Sequence, residues 1–162
     1  MRAELDQVYR QHRQALFSLA LTITGCSGLA EDAVHEAFLR LCGRQEQPTG
    51  SVASYVFAAV RNAAVDCCRR LKRDRTLTET LFASTPNTRV SDDEFCREDM
   101  TARLQQEIEA LDGSIREIIV MKIFGSLTFE EIGSVLNTPP ATVATQYRRA
   151  LMTLEERLRR DS

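Results

Sequence analysis

The chain has 162 residues, 43% of them hydrophobic, no tryptophan, seven glycines and four prolines, and a formal net charge of −2. That length fits one average domain or two small ones, and the apolar content excludes wholesale disorder. The near-neutral balance excludes a protein that coats nucleic acid by charge alone, and no apolar run approaches the roughly 18 residues of a membrane span.

In chain order, Leu5, Val8, Tyr9, Leu16, Leu19, Ala20 and Ile23 recur at helical spacing and predict a helix from Leu5 to about Thr24. "TGCSG" breaks it, with Gly25 as C-terminal cap and Ser27 as the next N-cap. A second helix, "LAEDAVHEAFLRLC", sets Ala30, Val34, Ala37, Phe38 and Leu41 in an apolar stripe and turns Asp32, His35, Glu36 and Arg40 outward. "GRQEQPTGS" reads as a loop. A third helix is expected from about Ser51 to Lys72, with Val56, Val60, Ala63, Cys67 and Leu71 toward a core.

From Asp74 to Val90 the periodicity fades into Thr, Ser and Pro86, which marks a boundary and a flexible linker. Three capping boxes follow, each a Ser or Thr with Glu three residues on. Ser91/Glu94 opens a helix toward Leu111, Ser114/Glu117 one from Ile115 to Phe124 stopped by Gly125, and Thr128/Glu131 a short one from Phe129 to Leu136. Asn137 ends that helix, Thr138 caps the next, and Pro139 sits in its first turn, where a missing N–H costs nothing. The last helix is expected to reach Arg160. No strand is predicted. The fold class is all-α: two small helical domains, residues 1–75 and 101–162, joined by a linker over 76–100.

Charge follows the same division. Residues 1–75 hold 11 basic and 8 acidic side chains, net +3. Residues 76–112 hold 3 and 9, net −6, and residues 113–162 hold 7 and 6, net +1. Two weakly basic segments flank an acidic connector.

The chemistry is that of binding. Five cysteines, Cys26, Cys42, Cys67, Cys68 and Cys96, show no CxxC spacing and have neither histidine near them as a pair, so no metal site is expected. There is no phosphate-cradling glycine loop and no nucleophile–base pair; catalytic residues and cofactors are expected to be none. "TFEEIGSVLNTPPATVATQYRRAL" has the form of a helix-turn-helix. Its packing set is Ile132, Val135, Leu136, Val143, Tyr147 and Leu151, and Gly133 stands where the helices approach closely. In that motif the second helix enters the major groove through its first turns, here Thr142, Ala144, Thr145, Gln146, Arg148 and Arg149. An ordinary helical hairpin with a solvated polar face fits the same pattern. In the third helix, Asn62, Asp66, Arg69, Arg70 and Arg73 share one face. Basic residues near a helix C-terminus also answer the macrodipole without any ligand.

Three segments together carry a family resemblance. "TGCSGLAEDAVHEAFLRL" is similar to the "TG…AEDxxQExFLRL" segment of the extracytoplasmic function (ECF, group IV) sigma factors of the sigma-70 family. "SYVFAAVRNAAVDCCRRLKR" is similar to their "WLxxIAxNxxxDxxRRxxR" promoter-melting helix, and "LTFEEIGSVLNTPPATVATQYRRALMTL" to "LSxEEIAxxLxxsxGTVxSRxxRAxxxL". The resemblance implies a cytoplasmic, non-enzymatic factor that binds bacterial core RNA polymerase and promoter DNA, with an anti-sigma factor as a further partner and no membrane insertion. It implies that Asp32, His35, Glu36, Phe38, Leu39 and Arg40 dock on the clamp helices of the polymerase β′ subunit. Tyr55, Arg61, Asn62, Asp66, Arg69, Arg70 and Arg73, with the 43–51 loop, would hold the −10 region. Thr142, Thr145, Gln146, Arg148 and Arg149 would read the −35 element while their domain sits on the β flap.

The chain departs from the family at Tyr55 (usually Trp), His35 (usually Gln) and Cys42 (commonly Trp). It departs also at Ala144 (usually basic) and Gln146 (usually Arg). The competing reading is a helix-turn-helix regulator with an N-terminal sensing or dimerisation domain, which predicts solution dimers and palindromic sites.

Overall fold

The computed structural model describes residues 1–78 and 99–160. The described residues form seven α-helices and one π-helical turn, with no strand among them. The chain divides into two units, Met1–Val90 and Ser91–Ser162.

The first unit is three helices, each packed on the other two. They are α1 (Arg2–Thr24), α2 (Ser27–Cys42) and α3 (Val52–Thr78). Their core is Leu16, Leu19, Val56, Phe57 and Val60, fully enclosed, set among buried alanines at 15, 20, 30, 33, 37, 63 and 64. The small side chains let the helices approach closely around one ring, Phe57, which His12 meets edge-on at 5.7 Å.

Gly25 takes φ 70 and returns its N–H to the Leu21 carbonyl, ending α1 as expected. Ser27 is not the next cap. Cys26 is extended and its carbonyl receives the Ala30 N–H at 2.9 Å, so Ser27 already lies inside α2. The Thr24 hydroxyl takes over the polar contacts of the break, donating to the Ala20 and Cys26 carbonyls. The third helix runs past its predicted end at Lys72 to Thr78. Nothing in "RDRTLT" breaks a helix, and fading hydrophobic periodicity marks the loss of a buried face rather than the loss of the helix. Leu71, expected in the core, is 41% exposed.

The second unit holds α4 (Asp99–Glu109), α5 (Gly113–Ile119), the π turn Val120–Phe124, α6 (Phe129–Leu136) and α7 (Pro140–Arg160). The Ser91/Glu94 box and much of the expected linker lie outside the described residues. The Ser114/Glu117 box does not form. Asp112 caps α5 instead, its carboxylate accepting the Gly113 N–H at 3.0 Å and the Ser114 hydroxyl at 3.4 Å, while Glu117 is buried within the helix. The expected helix to Phe124 changes to π geometry at Val120, where the Gly125 N–H reaches the Val120 carbonyl five residues back. Ser126, at φ 53, takes the left-handed residue of that exit.

The Thr128/Glu131 box is complete. Glu131 N–H donates to the Thr128 hydroxyl at 3.2 Å, and Thr128 N–H to the Glu131 carboxylate at 2.8 Å. Asn137, at φ 52, closes α6. Pro139 is not in the first turn of α7. It is the residue before a proline, which disfavours helical backbone, so it serves as the cap and Pro140 takes the first turn. Its carbonyl accepts the Val143 N–H, and the Thr138 hydroxyl donates back to the Leu136 carbonyl.

Candidate nucleic-acid interface

Gly133 makes the α6–α7 turn possible. A Cβ there would lie 2.6 Å from the Thr138 carbonyl oxygen and 3.4 Å from the Pro140 nitrogen, both backbone atoms. The turn is closed by the Thr138 N–H on the Gly133 carbonyl at 2.9 Å. Ile132, Val135 and Val143 are buried as the motif requires, and Phe129 and Tyr147 meet at 5.5 Å. Leu151, expected in this packing set, is 38% exposed, and Ala144, expected on the groove side, is only 8% exposed. The interior of the unit joins Ile119, Ala150 and Leu154 to Ile108, Leu111, Ile115 and Tyr147, and the Arg157–Glu107 ion pair at 3.2 Å ties α7 to α4.

This packing fixes which face of α7 is free. Thr142, Thr145, Arg148 and Arg149 are exposed and Gln146 is half-buried. At about 100° per residue, Thr142, Thr145, Gln146 and Arg149 span an arc of roughly 100°, with Arg148 about 60° beyond it. Thr145 donates its hydroxyl hydrogen to the Ala141 carbonyl, which leaves oxygen lone pairs facing outward. Arg159 and Arg160 pair with Glu155 and Glu156 one turn back. Arg148 and Arg149 have no ion-pair partner among the described residues, so positive charge stays available at the N-terminal half of α7.

On α3 the expected face is present. Asn62, Arg69, Arg70 and Arg73 are exposed and Tyr55 and Asp66 half-buried, all along one side of the helix. Arg61 falls about 100° away from Asn62 and is half-buried, apart from that row. Arg44, which the sequence reading did not single out, donates to the Tyr55 hydroxyl at 3.0 Å and pins the 43–51 loop to the start of α3.

The residues expected to meet polymerase lie next to this face. His35, Asp32 and Leu39 are exposed, Leu39 at 63%; Phe38 is half-buried, edge-on to Tyr9 at 5.1 Å. Asp32, His35, Glu36 and Leu39 of α2 and Arg70 and Leu71 of α3 line one shallow depression of about 420 Å³. A second, of about 300 Å³, is lined by Arg40, Asp66, Arg69, Arg70 and Arg73. Glu36 stands between the two. One carboxylate oxygen receives Arg40 at 2.5 Å and the other receives Arg70 at 2.9 Å, while Arg40 also lies 3.9 Å from Asp66. The Arg70 hydrogen bond, aided by the charges of both arginines, holds the Glu36 carboxyl below its ordinary value and raises Arg70 above its own.

Cys67 and Cys68 are structural in this setting. Cys68 donates to the Ile23 carbonyl at 3.4 Å, and burial, with Cys68 beside it, pushes the Cys67 thiol up, away from the reactive thiolate.

Two family models match the chain in order: sigma-70 region 2 over residues 8–74 and sigma-70 region 4 over residues 101–154. Curated relatives span the chain nearly end to end. The ECF RNA polymerase sigma factor SigW of Bacillus subtilis is 25% identical over 97% of this chain and 88% of its own length. SigE of Mycolicibacterium smegmatis is 26% identical over 97% of this chain and 62% of its own, and SigM of Bacillus subtilis 22% over 93% of each. Among solved structures, the sigma factor RpoE of Bartonella quintana, in complex with the anti-sigma factor NepR, has the same fold. It matches with a TM-score of 0.72 at 18% identity over 98% of both chains. With α1–α3 as region 2 and α4–α7 as region 4, the chain belongs to the sigma-70 family, among its ECF sigma factors.

Proposed function

We propose that this chain is an alternative sigma factor that binds core RNA polymerase and directs it to promoters through −10 and −35 contacts. The observation that carries this reading is the pairing, in one chain, of a region 2 bundle with a basic α3 face and a region 4 helix-turn-helix with free arginines on α7. In this reading the α2 surface around Asp32, His35, Glu36 and Leu39, with Phe38 and Arg40 at its edges, docks on the β′ clamp helices. Leu39 and Leu71 supply exposed apolar area beside charges, the composition of a docking patch rather than of a solvated face.

Tyr55, Asn62, Asp66, Arg69, Arg70 and Arg73 hold the −10 region, with Arg61 on their flank. A ring for stacking and a row of guanidiniums suit capture of an opened strand. Thr142, Thr145, Gln146, Arg148 and Arg149 read the −35 element, with the domain seated on the β flap and the acidic connector toward the RNA exit path. The role needs no bond chemistry and no cofactor in this chain, and it places the protein in the cytoplasm. Likeness to a sigma factor solved with its anti-sigma factor supports an anti-sigma partner here too.

Charge explains why polymerase is required. Net charges of +3 and +1 over the two basic segments neutralise few phosphates, and affinity falls steeply with salt in proportion to that number. Tethering both units to polymerase raises their effective concentration at the promoter, so weak contacts suffice. The test is run-off transcription by core polymerase on a pool of random upstream sequences. Product that depends on the added chain supports the reading and yields its promoter; equal product without it refutes the reading.

A further inference from the structure

We propose that Arg40, although it lies on the α2 helix that faces polymerase, is a promoter contact. Its guanidinium joins Arg69, Arg70 and Arg73 in gripping a backbone phosphate of the −10 region. The inference deepens the function proposed above and rests on it.

The head of Arg40 lies on the α3 side of α2. It reaches from α2 toward α3, with one nitrogen 2.5 Å from Glu36 and another 3.9 Å from Asp66 of α3. It thereby lines the depression of about 300 Å³ with Asp66 and the three α3 arginines, and it is absent from the lining of the neighbouring depression that holds His35 and Leu39. Four guanidiniums and one carboxylate give that depression a formal +3, or +2 with Glu36 behind it counted.

The chemistry of the lining selects a phosphate over a base. No aromatic ring lines the depression, so a base would find nothing to stack on. Tyr55, the ring of this face, is 11 residues before Asp66, about 16 Å up the helix at 1.5 Å per residue. Planar guanidiniums match the oxygens of a phosphate bidentately. Glu36 prepares the site by using its two oxygens on Arg40 and Arg70, which fixes the distance between those two forks. Arg69 and Arg73, with no ion-pair partner among the described residues, carry the remaining free charge.

The experiment measures binding of holoenzyme, formed at saturating core polymerase, to the promoter recovered from the random pool, as a function of salt. Loss of one phosphate contact flattens the slope of log affinity against log salt by about 0.7 to 0.9. Arg40→Ala is expected to show that flattening, and Arg40→Lys, which keeps the charge, to retain the parent slope. Leu39→Ala, on the docking patch, is expected to weaken core binding and leave the slope alone. An unchanged slope in Arg40→Ala overturns the proposal. A parent holoenzyme that selects no promoter overturns the functional reading and this inference with it, a result distinct from the preceding one. Inorganic phosphate supplies the remaining arm. If it raises the melting temperature of the free parent chain at constant ionic strength but not that of Arg40→Ala, the site serves a free anion and the DNA assignment falls. No such difference is expected.

Discussion

Gly133→Ala tests whether the helix-turn-helix is held by backbone approach. The added Cβ meets the Thr138 carbonyl oxygen at 2.6 Å, and ordinary contact begins at 3.4 Å, so the carbonyl must retreat by about 0.8 Å. It cannot swing away as a side chain would, because its own residue is tied to the Gly133 carbonyl by a 2.9 Å hydrogen bond. Overpacking against backbone at this distance falls in the upper part of the usual range, about 2–3 kcal/mol, and the better helix propensity of alanine offsets about 1 kcal/mol. The net expectation is about 1–2 kcal/mol of destabilisation, confined to α6 and α7. Hydrogen exchange by mass spectrometry reads it as a roughly 5- to 30-fold loss of protection in peptides covering residues 129–147. Peptides from α1–α3 should be unaffected, since they belong to the other unit. Ser134→Ala, exposed on the same helix, is the control and should change protection little. Parent-like or higher protection in Gly133→Ala would refute the close-approach argument.

Other outcomes follow from single contacts. Thr128→Ala removes the hydroxyl that accepts the Glu131 N–H, while the backbone N–H of residue 128 can still donate to the Glu131 carboxylate, and should destabilise α6 by about 0.5–2 kcal/mol, read by the same exchange measurement. Because the Glu36 carboxyl is depressed in the folded chain, its contribution is present above the unfolded value and is lost as pH falls through the folded one. The difference in urea midpoint between the parent and Glu36→Gln should therefore be small, constant near neutrality, and vanish as pH falls below the ordinary carboxylate range. Leu39→Asp should lower affinity for core polymerase at least tenfold in a fluorescence titration, since it places an unpaired charge in the docking patch proposed above.

What was legible in the sequence was local. The Gly25 cap, the Thr128/Glu131 box, the Asn137 stop and the special status of Gly133 each depend on residues within a few positions of one another. Where the sequence reading went astray, two neighbours competed or a distant contact decided. Asp112 and Ser114 are both good caps two residues apart, and Asp112 prevails where Glu117 is drawn into the interior rather than back to the cap. Pro139 and Pro140 compete for the first turn of α7, and the restriction on the residue before proline decides it. The π turn at Val120 shifts hydrogen bonds by one residue and leaves no mark in the apolar pattern. The α3 row from Tyr55 to Arg73 was legible because it obeys helical spacing. The reach of Arg40 toward Asp66, the Glu36–Arg70 bond and the Arg44–Tyr55 bond were not, because each joins residues 11 to 34 positions apart. Ala144, by contrast, was legible from spacing: at about 100° per residue it falls about 100° outside the arc of Thr142, Thr145, Gln146 and Arg149, and it is buried.

The central claim is that promoter recognition belongs to this chain only when polymerase holds both of its units in place. Its most direct test is the affinity of the fluorescently labelled promoter, recovered from the random pool, for the free chain and for the holoenzyme at physiological salt. The account predicts micromolar or weaker, salt-sensitive binding by the free chain and nanomolar binding by the holoenzyme. Nanomolar binding by the free chain under those conditions would contradict it.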